Sequence, residues 1–124
     1  MSDIPAHLHY TKDHEWISRD GEVVTVGITQ YAADALGDVV FVDQPKVGST
    51  AQLGAIVGEV ESTKSVGEIF APASGEVTEV NHAVVDDPSL INRDPYGEGW
   101  LFRLKASDLP EMLDAAAYGA LIGQ

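Results

Sequence analysis

Apolar and polar residues alternate along much of the chain, a pattern typical of β-strands with one buried face. The alternation is clear at Val24, Val26 and Ile28, and a continuous apolar run follows at residues 39–42. Glycine and proline interrupt these segments at short intervals, as they do in the turns between short strands. The pattern therefore predicts an all-β core.

Two other segments depart from the strand pattern. Thr29 can cap a short helix that runs to Leu36, and Gly37 lies where such a helix ends. Residues 86–96 are dense in aspartate, proline and asparagine, which predicts a loop with at most one helical turn, near residues 89–91. We expect both segments to lie outside the β core.

The end of the chain predicts a further helix, over about residues 107–121. Ser107 or Asp108 can serve as its N-cap, Pro110 fits its first turn, and an alanine-rich stretch follows. A chain of this length can bury one core but has no room for a second catalytic module. We expect a single domain over residues 1–124, with two or three short peripheral helices on the β core.

Composition excludes several classes of function. The 20 acidic residues outnumber the 7 basic ones, and a formal charge of −13 repels nucleic-acid phosphates and anionic lipids. Since no apolar run approaches the roughly 18 residues of a membrane span, we expect neither nucleic acid nor a membrane as a partner. Cysteine is absent, which excludes thiolate chemistry. His7 and His9 lack the spacing of a metal motif, and we expect no metal.

The first residues carry no targeting pattern. They contain neither an apolar signal core nor an arginine-rich amphipathic stretch. We expect the chain in the cytoplasm of a prokaryote, or in the mitochondrial matrix if it is a processed form.

The segment at residues 55–81 contains the strongest functional signal. Two apolar arms meet at the polar tetrad 61–64, which predicts a β-hairpin with Lys64 at its tip. Between residues 47 and 92 Lys64 is the only Lys or Arg, against seven acidic residues. Nearby carboxylates favour the protonated amine, so Lys64 is better suited to modification by another enzyme than to acting as a free nucleophile. From charge and position alone, an ordinary solvated lysine remains an open alternative.

Several motifs resemble a known family. Glu61-Ser62-Thr63-Lys64-Ser65 followed by Pro72-Ala73-Ser74-Gly75-Glu76-Val77 is similar to the lipoyl-attachment hairpin. Biotinyl domains share that fold, but their target lysine typically lies between two methionines, whereas Thr63 and Ser65 flank Lys64. Further segments narrow the resemblance to glycine cleavage system H proteins. They lie at residues 14–16, 27–32, 36–42, 90–92 and 94–100, and the resemblance extends from about Tyr10 to Tyr118.

This resemblance implies a barrel-sandwich hybrid that carries lipoic acid in amide linkage on Lys64 and catalyses nothing alone. It implies transfer of the aminomethyl group of glycine from glycine decarboxylase, a pyridoxal phosphate enzyme, to aminomethyltransferase. Dihydrolipoamide dehydrogenase and a lipoate-attaching enzyme are the other implied partners. We expect a monomer. Because the chain is acidic, we also expect its partner enzymes to have basic docking surfaces.

The resemblance also implies roles for three acidic residues, and adjacency to Lys64 predicts a role for a fourth. Glu15 and Glu68, and with them Asp13, correspond to the residues that hold the aminomethyl cation. Relatives can carry serine at the position of Asp13 and aspartate at that of Glu68. Glu61, three residues before Lys64, is expected to serve recognition by the lipoate-attaching enzyme. For Glu15, Glu68 and Asp13, a solvated acidic surface remains an open alternative.

Two other functions are compatible with the sequence. One is an H-like protein that relays lipoyl groups to other complexes, which needs Lys64 but no pocket for an aminomethyl cation. The other is an unmodified acidic binding module in which Lys64 has no special role.

Overall fold

The computed structural model describes residues 4–106 and 109–123. Within them, nine strands form two antiparallel sheets. One sheet has six strands in the order β1-β2-β3-β9-β8-β5, and the other has three, in the order β4-β6-β7. The strands are β1 (His9–Tyr10), β2 (Glu15–Asp20), β3 (Val23–Ile28), β4 (Val39–Asp43), β5 (Thr50–Ala51), β6 (Ile56–Ser62), β7 (Val66–Phe70), β8 (Gly75–Val80) and β9 (Phe102–Lys105). The predicted all-β core is confirmed.

The main hydrophobic core joins side chains from both sheets. Val24, Val26 and Leu104 come from the six-stranded sheet and Val60 from the three-stranded sheet, and all four are fully buried. The alternation that predicted β3 therefore marks its core-facing side, as the two-residue period of a strand requires. Burial of these branched side chains is the main stabilising contribution to such a fold.

Four short helices are present in the described residues: α1 (Gln30–Leu36), α2 (His82–Asp86), α3 (Leu90–Arg93) and α4 (Ala115–Leu121). The Thr29 side chain accepts a hydrogen bond from the Ala32 amide, so α1 begins where the sequence predicts. Helix α3 extends the single turn predicted near residues 89–91. Helix α2 was not predicted; it is only five residues long and depends on Asn81 as its N-cap. None of these helices has the length and apolar character needed to cross a bilayer.

The predicted start of the C-terminal helix was wrong. Helix α4 begins at Ala115, where the Asp114 side chain accepts a hydrogen bond from the Ala117 amide. Residues 109–112 form no helix, and Leu113 exchanges two backbone hydrogen bonds with Tyr10, at 2.8 and 2.9 Å. This pairing with β1 satisfies backbone groups that a longer helix would otherwise have used. The predicted caps Ser107 and Asp108 lie outside the described residues.

Helix α4 is fixed to the six-stranded sheet by aromatic packing. The rings of Tyr10 and Tyr118 stack with centroids 4.8 Å apart, and both side chains are fully buried. Trp16 and Leu8 complete this second cluster. The cluster holds the chain terminus against the segment that leads into β2.

Candidate functional site

The three-stranded sheet presents Lys64 at the tip of a tight hairpin. Strands β6 and β7 pair antiparallel, and the turn is closed by the Ser62 amide, which donates to the Ser65 carbonyl at 2.8 Å. The Ser62 hydroxyl oxygen also accepts from the amides of Lys64 (3.3 Å) and Ser65 (3.0 Å). Because these contacts use only the backbone around Lys64, its exposed side chain is left accessible to another protein.

The C-terminal end of α1 lies beside the lysine. Gly37 has φ 84° and ψ −155°, a conformation that is essentially restricted to glycine. A Cβ atom built on Gly37 lies only 3.1 Å from Cε of Lys64. Glycine at this position therefore gives both the backbone turn and the space along which the lysine side chain lies.

Glu15, at the start of β2, is a buried carboxyl group. Its side chain is 1 % exposed, Oε2 accepts from the Phe70 amide at 2.7 Å, and Oε1 bonds the Thr11 hydroxyl at 3.2 Å. Burial raises the pKa of Glu15 to about 8, and the charge of Asp13 adds to the rise, whereas the hydrogen bonds from Phe70 and Thr11 oppose it. In the described residues no Lys, Arg or His forms an ion pair with this group.

Glu15 lines a cavity of about 340 Å³. The wall also includes residues 10–13, 53–54, 71–72 and 110–113, and its surface is mostly apolar. Asp13 belongs to the first of these segments, so the structure brings two of the predicted cation-binding carboxylates to one cavity. A buried carboxyl group without a cation, facing an open volume, is suited to receiving an ammonium group.

Glu68 and Glu61 lie elsewhere, on the outer face of the three-stranded sheet. Strand register places Glu68 opposite Glu59, and Glu59 opposite Asp43, so these three carboxylates form one row across β7, β6 and β4. We call this row the acidic row. Directly opposite residues in antiparallel strands have their Cβ atoms about 5 Å apart. The row therefore concentrates negative charge on one solvent-facing surface near the hairpin.

The adjacent row on the same face combines one carboxylate with two apolar side chains. Glu61 lies between Phe41 of β4 and Val66 of β7. Phe41 and Val66 are about half exposed. Glu61 is thus placed beside Lys64 and next to apolar surface that another protein can cover.

Comparison with known proteins decides the family. The sequence model described as glycine cleavage H-protein matches residues 8–121. The chain belongs to the glycine cleavage H-protein family. Members of this family are the lipoyl-carrying shuttles of the glycine cleavage system, so the family and function predicted from the sequence are confirmed.

Curated relatives and a solved structure support the same assignment. The glycine cleavage system H protein of Clavibacter sepedonicus is 57 % identical over 117 residues, covering 94 % of this chain and 95 % of the relative. That of Thermus thermophilus is 54 % identical over 119 residues, covering 94 % and 93 %. The crystal structure of a glycine cleavage system H protein from Mycobacterium marinum has a TM-score of 0.93 at 48 % identity, covering 98 % and 100 %. The barrel-sandwich hybrid is thereby confirmed.

Sequence reasoning missed several residues around the site of this family member. Thr11 bonds Glu15, and His14, next to Glu15, has a positive φ of 67°. The His14 ring lies 2.9 Å from the Tyr118 hydroxyl, and burial lowers the pKa of His14, although Asp13 opposes this shift. No local pattern marks a histidine with an unusual backbone conformation, so only the structure reveals it.

The remaining histidines, His7, His9 and His82, are exposed. In the part of the H-family chain that the structure describes, no group of three His, Cys, Asp or Glu side chains could hold a metal ion.

Proposed function

We propose that Lys64 is the residue of this H-family protein that carries lipoic acid, and that the chain itself catalyses no step. The observation that carries the proposal is the exposed Lys64 side chain on a turn fixed by Ser62 and Ser65. A rigid backbone with a free amine is what a modifying enzyme requires, since the enzyme must bind the peptide and still reach the nitrogen.

When bound, the lipoyl group supplies a dithiolane that takes up the aminomethyl group of glycine at glycine decarboxylase, releases it at aminomethyltransferase and is reoxidised by dihydrolipoamide dehydrogenase. The chain contributes the attachment point and the surface on which the arm rests. A tethered group reaches each partner's active site at high effective concentration, so position at the tip of a hairpin favours successive visits.

Glu15, together with Asp13, is proposed to hold the cation at the end of the loaded arm. The support is the burial of Glu15, its position at the cavity and the lack of an ion pair between it and any residue in 4–106 or 109–123. Phe70, whose amide bonds Glu15, lies at the far end of β7, roughly 13 Å from Val66 at about 3.3 Å per residue. A lipoyl arm that starts at Lys64 and folds back along β7 covers a length comparable to the distance from Val66 to Phe70. Glu68 lies along that path, on the outer face of the strand.

Glu61 is proposed to serve recognition by the lipoate-attaching enzyme. It lies three residues before Lys64 and is flanked by the exposed Phe41 and Val66. Glu61→Ala is therefore expected to slow lipoylation, and a normal rate of lipoylation in that variant would contradict this role.

The acidic row is proposed to bind basic surfaces on the other glycine-cleavage enzymes. Asp43→Asn combined with Glu59→Gln is expected to weaken binding to glycine decarboxylase about three- to tenfold at low ionic strength and to flatten its salt dependence. Titration calorimetry at low and high salt measures both effects. Asp20→Asn combined with Glu22→Gln removes the same charge from an exposed turn and is the matched control. Equal losses in the two double variants would show that only net charge matters.

Two measurements test the proposed function. Intact mass of protein from lipoate-supplied cells is expected to show one lipoyl group, and the lipoylated protein is expected to support glycine-dependent carbon dioxide exchange by glycine decarboxylase. An adduct without exchange would favour the lipoyl-relay alternative. Absence of an adduct would favour an unmodified acidic module.

We further propose that the carrier is a cytoplasmic monomer. The relatives named above are bacterial proteins. A monomer leaves both the hairpin tip and the acidic row open to successive partners.

A further inference from the structure

Asn92, in α3, binds a corner of the chain more than fifty residues away. Its Oδ1 accepts a hydrogen bond from the Val39 amide at 2.9 Å, and its Nδ2 donates to the Gly37 carbonyl at 2.8 Å. The oxygen and the nitrogen of one side-chain amide thus both form hydrogen bonds with residues 37–39, which we call the corner. This is a two-point attachment that neither an aliphatic side chain nor a hydroxyl can reproduce.

The corner in turn contacts the hairpin tip. The Thr63 amide donates to the Asp38 carbonyl at 3.1 Å, and the Lys64 side chain lies over Gly37. Glycine adopts the backbone conformation of Gly37 without strain but adopts many others as readily, so outside contacts are needed to fix the corner in one of them. Asn92 supplies two of those contacts, one on each side of Asp38.

We propose that Asn92 is a positioning residue for the modification of Lys64, because it fixes the corner against which the hairpin tip is held. The inference rests on the proposed attachment of lipoate at Lys64. It assigns to α3 a role in presenting the lysine, exerted through the corner.

The reaction explains why orientation matters. The Lys64 ammonium first loses a proton to water, and its nitrogen then attacks the carbonyl carbon of a lipoyl adenylate. The amide C–N bond forms, the C–O bond to the phosphate breaks, AMP leaves, and the second nitrogen proton passes to water. Attack requires the nitrogen to approach the carbonyl within a narrow range of distance and angle. A tip that rotates relative to the corner spends less time in that geometry.

Asn92→Ala is expected to lower kcat/KM for lipoylation by a lipoate ligase, with lipoate and ATP, about tenfold. It is also expected to raise the hydrogen-exchange rate of the Thr63 amide about tenfold, because the Asp38 carbonyl loses its fixed position. The Ser62 amide, which bonds within the turn to Ser65, is expected to keep its protection. If the alanine variant does not fold, Asn92→Asp keeps the side-chain volume and removes the donor to Gly37, and the same changes are expected.

Asn81→Ala is the matched control. Asn81 likewise binds backbone groups through its side-chain amide, but in a different part of the fold: Nδ2 donates to the carbonyls of Glu98 and Trp100, and Oδ1 accepts from the Ala83 amide. It is expected to lower stability without changing the lipoylation of the folded protein or the Thr63 exchange rate. Wild-type kinetics or unchanged Thr63 exchange in the Asn92 variant would overturn the proposal, as would equal slowing in the Asn81 variant. Failure of the wild-type protein to be lipoylated would instead refute the attachment at Lys64.

Discussion

Replacing Lys64 with arginine is expected to abolish lipoylation and, with it, all glycine-dependent exchange. Arginine keeps the positive charge at the exposed tip, but its guanidinium stays protonated at every accessible pH and cannot be acylated. Since the turn is held by Ser62 and by backbone groups, the free energy of unfolding of the variant is expected to lie within about 0.5 kcal/mol of the wild-type value. Intact mass, exchange activity and urea unfolding measure the three outcomes.

Lys46→Arg provides the matched control for this result. Lys46 is also exposed and lies in the loop between β4 and β5, away from the hairpin tip. This variant is expected to be lipoylated and active. A lipoyl group found on the Lys64→Arg protein would place the attachment at another lysine and contradict the proposal.

The parts of the site made of neighbouring residues are the parts that the sequence predicts well. The turn at Ser62–Ser65 is visible because a polar tetrad separates two apolar arms, and Thr29 is visible as a cap because capping acts over three residues. The isolated positive charge of Lys64 is likewise evident from its neighbours in the sequence. For these features, short-range physical chemistry is sufficient.

Contacts between distant residues could not be predicted in the same way. Glu15 and Phe70 are 55 positions apart, and nothing in the local pattern shows that this carboxyl is buried. The acidic row depends on the register of β4 against β6, which includes a bulge between Val39 and Phe41. A bulge changes which side chains share a face, so sequence alternation cannot place Asp43 beside Glu59.

The end of the chain shows how tertiary pairing overrides local signals. Pro110 and the alanine-rich stretch favour an early helix start, yet Leu113 pairs with Tyr10 and Asp114 caps α4 instead. Intrinsic helix preferences are worth less than 1 kcal/mol per residue for most residues. Pairing with β1 and the stacking of Tyr118 on Tyr10 bury backbone and aromatic surface that a longer exposed helix cannot.

The wild-type protein is expected to lose stability at alkaline pH, and replacing Glu15 with glutamine is expected to abolish most of this pH dependence. The folded-state pKa, about 8, lies above the ordinary value of 4.5. The stabilisation from the protonated group is therefore complete below pH 4.5, declines as pH rises, and is lost above pH 8. At roughly 1.4 kcal/mol per unit, the loss is at most about 5 kcal/mol. Glutamine keeps an oxygen that accepts from the Phe70 amide and places an NH2 group beside the Thr11 hydroxyl, which donates to Oε1 in the wild-type protein and whose oxygen can accept instead.

Urea unfolding at pH 5 and pH 9 measures this effect. The wild-type protein is expected to lose several kcal/mol between these pH values, and Glu15→Gln to lose much less. Glu68→Gln is the matched control, because that carboxylate is exposed and is solvated in both the folded and the unfolded chain. Equal pH dependence in the wild-type and Glu15→Gln proteins would show that the Glu15 carboxyl is not neutral in the folded state.

The same substitution is expected to shorten the lifetime of the loaded arm. An incoming ammonium displaces the proton of Glu15 and forms an ion-paired hydrogen bond with the carboxylate, whereas glutamine offers only a neutral carbonyl oxygen. Losing the negative charge is expected to cost about 1.5–3 kcal/mol, so hydrolysis of the loaded arm is expected to be roughly 10- to 150-fold faster. Formaldehyde released from the purified loaded carrier measures the rate. If Glu15→Gln protects the arm as well as the wild-type protein does, the cation binds elsewhere, with Asp13 at the cavity and Glu68 on β7 as the remaining candidates, and the attachment at Lys64 is unaffected.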